Sequence, residues 1–433
     1  VKKVYPVSLG CPKNRVDTEK LLASLVKFGA EVVLDPAEAE ILLVNTCAFV
    51  REAVEESIDT ILELAEEKRP DQRLVVVGCL VSRYREELLP ELPEVDLFLG
   101  VEAYRSARWI LEGDRGALWQ PTGPEITQRI LTESPFFAYL KVTEGCRHAC
   151  SFCTIPRIRG PLRSVPEELL LSEAKSLLSA GVKELILVGQ DVSAYGLDRG
   201  KRALVPLVKR LLEELEDLSW LRILYLHPEG LEEELLELMA QEPKICPYLD
   251  LPVQHASSRI LKAMRRPYQP EDILRLLEKL RKEIPEIAVR TSVIVGFPGE
   301  TEKDFLDLIS FLKQAAFDHL GAFIFSPEEG TRAATFPQQL SEAEKRDRFE
   351  EIMLLQQEIS AQRLSQRLGQ ETMVLVEGFD EEGRAYGHAR FQAPEVDGLT
   401  LVKGEVAPGD LVRVRLIEAS TYDLVALAQE VIR

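Results

Sequence analysis

Asparagine is almost missing from these 433 residues, appearing only as Asn14 and Asn45. So sparse a use of a thermolabile amide suits a heat-adapted source. Long apolar runs are missing too. None approaches the roughly 20 residues that span a bilayer, and the first residues enter a strand pattern without a signal-peptide layout. The expectation is a soluble, cytoplasmic protein with no membrane partner. Positive charge is in deficit, with 53 Lys and Arg against 72 Asp and Glu for a net charge of −19. That balance excludes a general nucleic-acid surface, which needs a basic face. A disulfide framework is also excluded, because seven cysteines scattered over a long chain are neither even in number nor dense. Metal ligation in a reducing compartment accounts for them better. Apolar residues at 45% and charged residues at 29% are ordinary for a globular chain of roughly two to four domains.

What is present is a triplet. Cys146, Cys150 and Cys153 lie in Glu144-Gly145-Cys146-Arg147-His148-Ala149-Cys150-Ser151-Phe152-Cys153, a C-x3-C-x2-C run. Three soft thiolates on one loop can hold three irons of a 4Fe-4S cube, and no fourth cysteine follows nearby. One iron is left open to bind a small molecule, so the loop reads as a reaction centre rather than an electron wire. The alternative is a zinc knuckle, which needs a fourth ligand and more usually shows paired C-x2-C halves. His148 could serve, but it lies between two cysteines where the loop is tight.

Residues 4–9, 41–44, 74–77 and 95–99 are short apolar runs separated by amphipathic stretches such as 17–28 and 52–68, the pattern of βαβ units around a parallel sheet. Cys11, Cys47 and Cys79 follow the first three runs. In an open parallel sheet the loops at the strand carboxyl ends form one crevice, so these cysteines converge there. A lone cysteine after a strand is most often a small buried hydrophobe. Three at the same offset are harder to assign to packing, and they read as ligands of a second cluster with an open iron. Cys246 has no partner at matching spacing and is assigned to the core.

From residue 137 the alternation lengthens. Candidate strands are 137–143, 184–188, 222–226, 248–251, 289–295 and 319–325, with helices at 166–180, 205–215, 231–240, 273–282 and 302–315. Six βα units are too few to close an eight-stranded barrel, so an open, partial (βα)6 barrel follows, with its chemistry at the strand carboxyl ends. Segments 143–160, 189–196, 252–257 and 296–301 stand there. Their glycines let backbone approach a ligand, and Gln190, Asp191 and Gln254 offer hydrogen bonds to a polar cofactor. For any one glycine, plain turn formation is the competing account. The tail alternates apolar and polar positions at 372–378, 385–390, 410–417 and 422–428, a small antiparallel OB-like β-barrel. The whole is α/β: an N-terminal parallel-sheet domain (1–113), a linker (114–135), the barrel (136–340), a connecting helix (341–368) and the tail barrel (369–433).

C-x3-C-x-Φ-C with an aromatic Φ, here Phe152, on the first loop of a six-unit barrel resembles the radical S-adenosylmethionine superfamily. The resemblance implies S-adenosyl-L-methionine on the open iron and a 5′-deoxyadenosyl radical that abstracts hydrogen. It places Phe152, Gly189, Gln190, Gln254, Val295 and Gly296 at the cofactor. Gly189-Gln190-Asp191 departs from the superfamily's usual Gly-Gly-Glu, which leaves open how the methionine amine is held. Ser8-Leu9-Gly10-Cys11-Pro12-Lys13-Asn14, Asn45-Thr46-Cys47 and Gly78-Cys79 look like the N-terminal signature of the methylthiotransferases. This implies two 4Fe-4S clusters, insertion of sulfur and methyl at an unactivated C–H bond, and an external electron donor such as flavodoxin or ferredoxin.

Within that family, Cys11-Pro12-Lys13-Asn14-Arg15-Val16-Asp17 and Gln254-His255-Ala256-Ser257 resemble the RimO branch. This implies methylthiolation of the β-carbon of an aspartate in small-subunit ribosomal protein twelve. The alternative is the MiaB-like branch, which acts on an adenosine of tRNA. The tail resembles a TRAM domain and carries twelve acidic against six basic residues, a balance of −6. Such acidity suits a basic ribosomal protein and steers its approach, although it also serves solubility alone. Of Arg147, His148, Arg157, Arg159 and Arg163, one arginine fork could hold the substrate aspartate or the cofactor carboxylate. A reading from another class is a binding module with a structural cluster and no turnover.

Overall fold

The computed structural model describes residues 1–432; Arg433, counted above with the basic residues of the tail, lies outside them. The N-terminal sheet has six parallel strands: β1 (Lys3–Ser8), β2 (Glu31–Val32), β3 (Ile41–Thr46), β4 (Arg73–Gly78), β5 (Leu97–Leu99) and β6 (Gly116–Leu118). Their order is β2-β1-β3-β4-β5-β6. Strands buried on both faces read as continuous apolar runs, and β3, Ile-Leu-Leu-Val-Asn-Thr, is buried throughout. Alternate side chains serve opposite faces. Ile41, Leu43, Val75 and Val77 pack with Leu21, Leu22 and Leu25 of the first helix, while Leu42, Val44, Leu74 and Val76 pack with Ile61 of the second.

The first helix, α1 (Pro12–Lys27), begins five residues before the expected start at 17. Pro12 stands at the first helical position, where its missing N–H costs nothing. Cys11 is therefore the residue that caps this helix. β2 and β6 were not expected because each has at most three residues. The latter lies inside the segment read as a linker. The rest of that segment is fastened by buried ion pairs: Lys20 binds Glu125 at 3.1 Å and Glu173 at 2.9 Å, and Arg129 binds Glu173 at 3.2 Å and also Glu19.

The chain packs as two compact units. One comprises Val1–Ala149, Cys153–Gln190 and Ala194–Glu216; the other comprises Cys150–Phe152, Asp191–Ser193 and the chain from Asp217 onward. All six expected barrel strands are present. In the first unit Phe137–Lys141 pairs in parallel with Glu184–Val188. In the second, Tyr248–Asp250, Ala288–Val295 and His319–Ile324 form a parallel sheet in that order. The strand expected at 222–226 is Trp220–Ile223 instead, and Tyr225 just beyond it has φ +58°, a left-handed backbone that ends extended pairing. Two short helices were unforeseen, Ile155–Ile158 and Ser258–Met264.

The long helix Glu342–Ser365 begins at a capping box formed by Ser341 and Glu344, the reciprocal arrangement that satisfies two orphan donors. The tail is a closed five-stranded barrel of Glu371–Phe379, Ala385–Ala389, Thr400–Lys403, Leu424–Ile432 and Leu411–Ala419 in that order. Closure leaves no unpaired strand edge. The strand at Thr400–Lys403 escaped the sequence reading because it has only four residues. Among the described residues no helix is long and apolar enough to cross a membrane.

Candidate functional site

β1, β3 and β4 are neighbours, with Ser8 opposite Asn45 and Thr46 opposite Gly78. Cys47 and Cys79 are the residues immediately after β3 and β4, and Cys11 caps the helix that follows β1. The three cysteines thus stand at the carboxyl ends of adjacent strands, beside the reversal in strand order between β1 and β3, where open parallel sheets form a crevice. Approach is close: a Cβ on Gly10, whose φ is +86°, would lie 2.9 Å from Cys47 Sγ.

The only two asparagines of the chain shape this edge. Asn14 Nδ2 donates to the carbonyls of Leu9 at 2.7 Å and Thr46 at 3.2 Å, so it ties the loop before Cys11 to the one before Cys47. Asn45 Nδ2 donates to the Asn14 carbonyl at 2.9 Å and to Thr18 Oγ1 at 2.8 Å. Asn45 Oδ1 occupies the space where a Cβ on Gly78 would fall, at 2.2 Å. Buried amides are retained where each polar atom finds a partner, and here those partners are the cysteine-bearing loops.

The thiols differ. Burial pushes Cys79 up to about 12 and also raises Cys47. At Cys11 the penalty of burial is outweighed by the charges of Lys13 and Arg159 and by the backbone N–H groups of Asn14 and Lys13, so its thiol falls below the usual value. A helix start and nearby cations favour thiolate, whereas apolar burial opposes it. Cys79 and Cys47 therefore deprotonate readily only with a positive partner such as a metal. Among the described residues no three His, Cys, Asp or Glu side chains are gathered tightly enough for a single metal ion. In a 4Fe-4S cube each thiolate binds its own iron, and three thiols at adjacent strand ends offer one ligand apiece to such a group.

The second trio is carried by one loop. In the first unit, Cys146 N donates to the Gly160 carbonyl at 3.2 Å, and His148 N donates to Cys146 Sγ at 3.4 Å. Gly145 has φ +71°, and a Cβ there would lie 2.2 Å from the Pro161 carbonyl oxygen, so only glycine lets the loop close. In the second unit, Ser151 N donates to the Met264 carbonyl at 3.2 Å and Ser151 Oγ to the Ala263 carbonyl at 2.8 Å. Phe152 packs beside Met264 and Phe297, with the Arg266 guanidinium 6.0 Å above its ring. Burial pushes the nearby Tyr268 hydroxyl up to about 12.

Sequence reasoning missed a buried charge network that joins α1 to the residues flanking the second trio. Lys141 Nζ binds Glu144 at 2.7 Å and also Asp17. Arg159 Nη1 donates to Asp17 at 3.0 Å and to both Glu144 oxygens at 3.1 Å, and its Nη2 reaches Asn14 Oδ1 at 3.2 Å and Cys79 Sγ at 3.4 Å. All four charged groups are buried. Burial opposes the Glu144 charge, but Arg159 and Lys141 overcome it and hold the carboxyl far below the ordinary range. The detectable signal was a lysine inside an otherwise buried strand.

The candidate carboxylate forks differ in their engagement. Arg159 is already committed to two carboxylates, and Arg163 is paired with Glu102. Arg147 and Arg157 remain on the exposed side of the loop.

Of the expected cofactor contacts, Gly189 and Gln190 follow the strand Glu184–Val188. Gln190 Nε2 donates to Glu144 Oε1 at 3.3 Å, while its Oε1 is buried and accepts no hydrogen bond, as is Thr143 Oγ1. An orphaned acceptor beside the loop carboxylate fits an amine-bearing cofactor, since buried polar atoms are otherwise paired. In the second unit, Gln254 adopts φ +65°, rare for a non-glycine residue. Val295 is fully buried. Gly296 has a packing role besides: a Cβ there would lie 2.3 Å from Lys345 Cγ of the long helix. Cys246 is wholly buried, as core assignment requires.

Comparison with known proteins gives three matching families: the Radical SAM superfamily over residues 140–312, Uncharacterized protein family UPF0004 over 3–100, and TRAM domain over 368–428. The chain is 45% identical to the ribosomal protein uS12 methylthiotransferase RimO of Trichlorobacter lovleyi, covering 98% of each chain. It is 44% identical to the protein of the same name from Syntrophomonas wolfei, covering 97% of this chain and 98% of that one. Among solved structures it is similar to the radical S-adenosylmethionine methyltransferase TsrM of Kitasatospora setae, with TM-score 0.56, 15% identity and coverage of 75% and 72%. It is also similar to the cobalamin-dependent S-adenosylmethionine radical enzyme OxsB, with TM-score 0.53, 14% identity and coverage of 82% and 56%. At such identities the structural likeness speaks for the fold alone.

Proposed function

The chain belongs to the RimO family of ribosomal protein uS12 methylthiotransferases, and from that membership we propose how its own residues carry the reaction. It is a radical S-adenosylmethionine methylthiotransferase whose substrate is ribosomal protein uS12. The observation that carries this reading is likeness to RimO proteins at 45% identity over 98% of the chain, together with six cysteines in two trios.

When bound, S-adenosyl-L-methionine at a 4Fe-4S cluster on Cys146, Cys150 and Cys153 would supply the radical that no polar base can replace, and a second cluster on Cys11, Cys47 and Cys79 would supply sulfur. Gln190 Oε1, without a hydrogen-bond partner among the described residues, would accept from the methionine amine. Glu144, held ionised by Arg159 and Lys141, keeps Gln190 Nε2 engaged so that its oxygen faces the ligand. Lys13 and Arg159 offset the negative charge that three thiolates bring to the N-terminal edge. The target is the β-carbon of an aspartate, an external donor such as flavodoxin or ferredoxin supplies the electron, and the setting is the cytoplasm. The acidic tail barrel supports a basic protein partner over tRNA.

The test is incubation of reconstituted protein, under reducing conditions with S-adenosyl-L-methionine, with a uS12 loop peptide and separately with tRNA. Mass spectrometry of the peptide should show one hydrogen replaced by a methylthio group, located on the aspartate by fragmentation. Modification of tRNA alone would overturn the substrate.

A further inference from the structure

Arg159 is the point at which the loop of the second trio touches a sulfur of the first. The loop turns back after Cys153 into the helix Ile155–Ile158, and Arg159 N donates to the Ile155 carbonyl at 2.8 Å. The adjacent Gly160 carbonyl holds Cys146 N. From that anchored position the guanidinium divides its work. Nη1 faces Asp17 and Glu144, and Nη2 is aligned by Asn14 Oδ1 and directed at Cys79 Sγ, 3.4 Å away. Two carboxylates, Asp17 and Glu144, and two cations, Arg159 and Lys141, balance among themselves, and Nη1 carries the share of Arg159 in that balance. Nη2 is left to Asn14 and to sulfur.

We propose that Arg159 is a positioning residue that sets the reduction potential of the N-terminal cluster by donating a charged hydrogen bond to the Cys79 thiolate. This rests on the reading of Cys11, Cys47 and Cys79 as cluster ligands. Hydrogen bonds to ligand sulfur and nearby positive charge stabilise the more negative, reduced state and raise the potential. The planar fork is what permits simultaneous contact with two carboxylates and one sulfur; a lysine ammonium supplies charge without that geometry. The same side chain makes the order of one trio depend on the other, because Arg159 is fixed by the loop that bears Cys146.

The test isolates the N-terminal cluster in full-length protein carrying Cys146→Ala, Cys150→Ala and Cys153→Ala. Iron content comes first: about four irons per chain are expected for one cube, and none would defeat the cluster reading itself, independently of Arg159. On that background Arg159→Lys, and the charge-balanced pair Asp17→Asn with Arg159→Gln, are titrated by EPR-monitored reduction. The pair keeps Lys141 opposite Glu144, so folding does not depend on an unpaired buried charge. Both should keep their iron. The midpoint potential should move to more negative values, further for the pair than for lysine, with an altered EPR signal. A lower melting temperature with unchanged potential in both would show Arg159 to be a structural salt bridge and overturn the proposal.

Discussion

Gly10 shows how much of the site depends on a single missing side chain. Its φ of +86° and the 2.7 Å approach of a Cβ to Cys47 Cβ mean that Gly10→Ala must move either the turn or the cysteine. Strained backbone of this kind costs on the order of 1–3 kcal/mol, and a rigid thiolate trio has no flexible end to yield. The expected outcome is loss of the N-terminal cluster with retention of the other, read as a fall from about eight irons per chain to about four. The cysteines themselves separate the two roles. Cys150→Ala should abolish release of 5′-deoxyadenosine while leaving the N-terminal cluster in place. Cys47→Ala should spare that release but give no methylthio product; product from this variant would remove the sulfur-supplying role from the N-terminal trio. At this scale the sequence was legible where spacing carries chemistry, as in C-x3-C-x2-C. It was opaque where a side chain acts through space, because nothing near Arg159 in sequence announces Asp17, Asn14 or Cys79.

At the scale of elements, the long helix Glu342–Ser365 is held by its buried side chains and one latch. Gln356 Nε2 donates to the Phe317 carbonyl at 2.9 Å and Ser360 Oγ to the Asp318 carbonyl at 2.9 Å. The Asp318 carboxylate takes Arg363 at 3.1 Å and Arg367 at 3.4 Å. Burial opposes the Asp318 charge, but the two arginines prevail and hold its carboxyl below the ordinary value near 3.8. A carboxylate depressed in the folded state stabilises above its unfolded value and loses that contribution as pH falls through its folded one. Asp318→Asn should therefore destabilise at pH 7 by about 3 kcal/mol, as expected when one partner of a buried pair is removed. Denaturant melts should show the gap to wild type narrowing below pH 3.8 or so, since protonation then removes the same charge from the unmodified protein. A gap independent of pH would mean that the latch is steric. Elements were largely readable from periodicity: Glu184–Val188 and Glu302–Ala315 stand where apolar spacing put them. Elements of two to four residues, such as β2 and Thr400–Lys403, are too short to show a period and are created by their neighbours.

For the whole molecule, the excess of acid is the property that a partner meets first. A net charge of −19 should steer a basic protein substrate toward the enzyme, and steering weakens once the Debye length falls to about 10 Å or less. KM for the uS12 loop should rise with added salt while kcat is little changed. Glu381 and Glu405 are exposed on the tail barrel, so Glu381→Lys with Glu405→Lys should raise KM about two- to tenfold and flatten the salt dependence, given that rim charges act mainly on association. No change in either would assign the acidity to solubility.

The sequence by itself determined the α/β class, the two cysteine trios and the family, because thiolate spacing and hydrophobic period are local quantities that survive without coordinates. Only the tertiary structure decided what surrounds the thiols. Arg159 turned from a candidate substrate clamp into a donor to Cys79, and Gly296 gained a role as the seat for Lys345. Both findings have one physical cause: a long polar side chain buried among distant segments takes its role from whichever opposite charge, acceptor or empty volume the fold brings within a few ångströms.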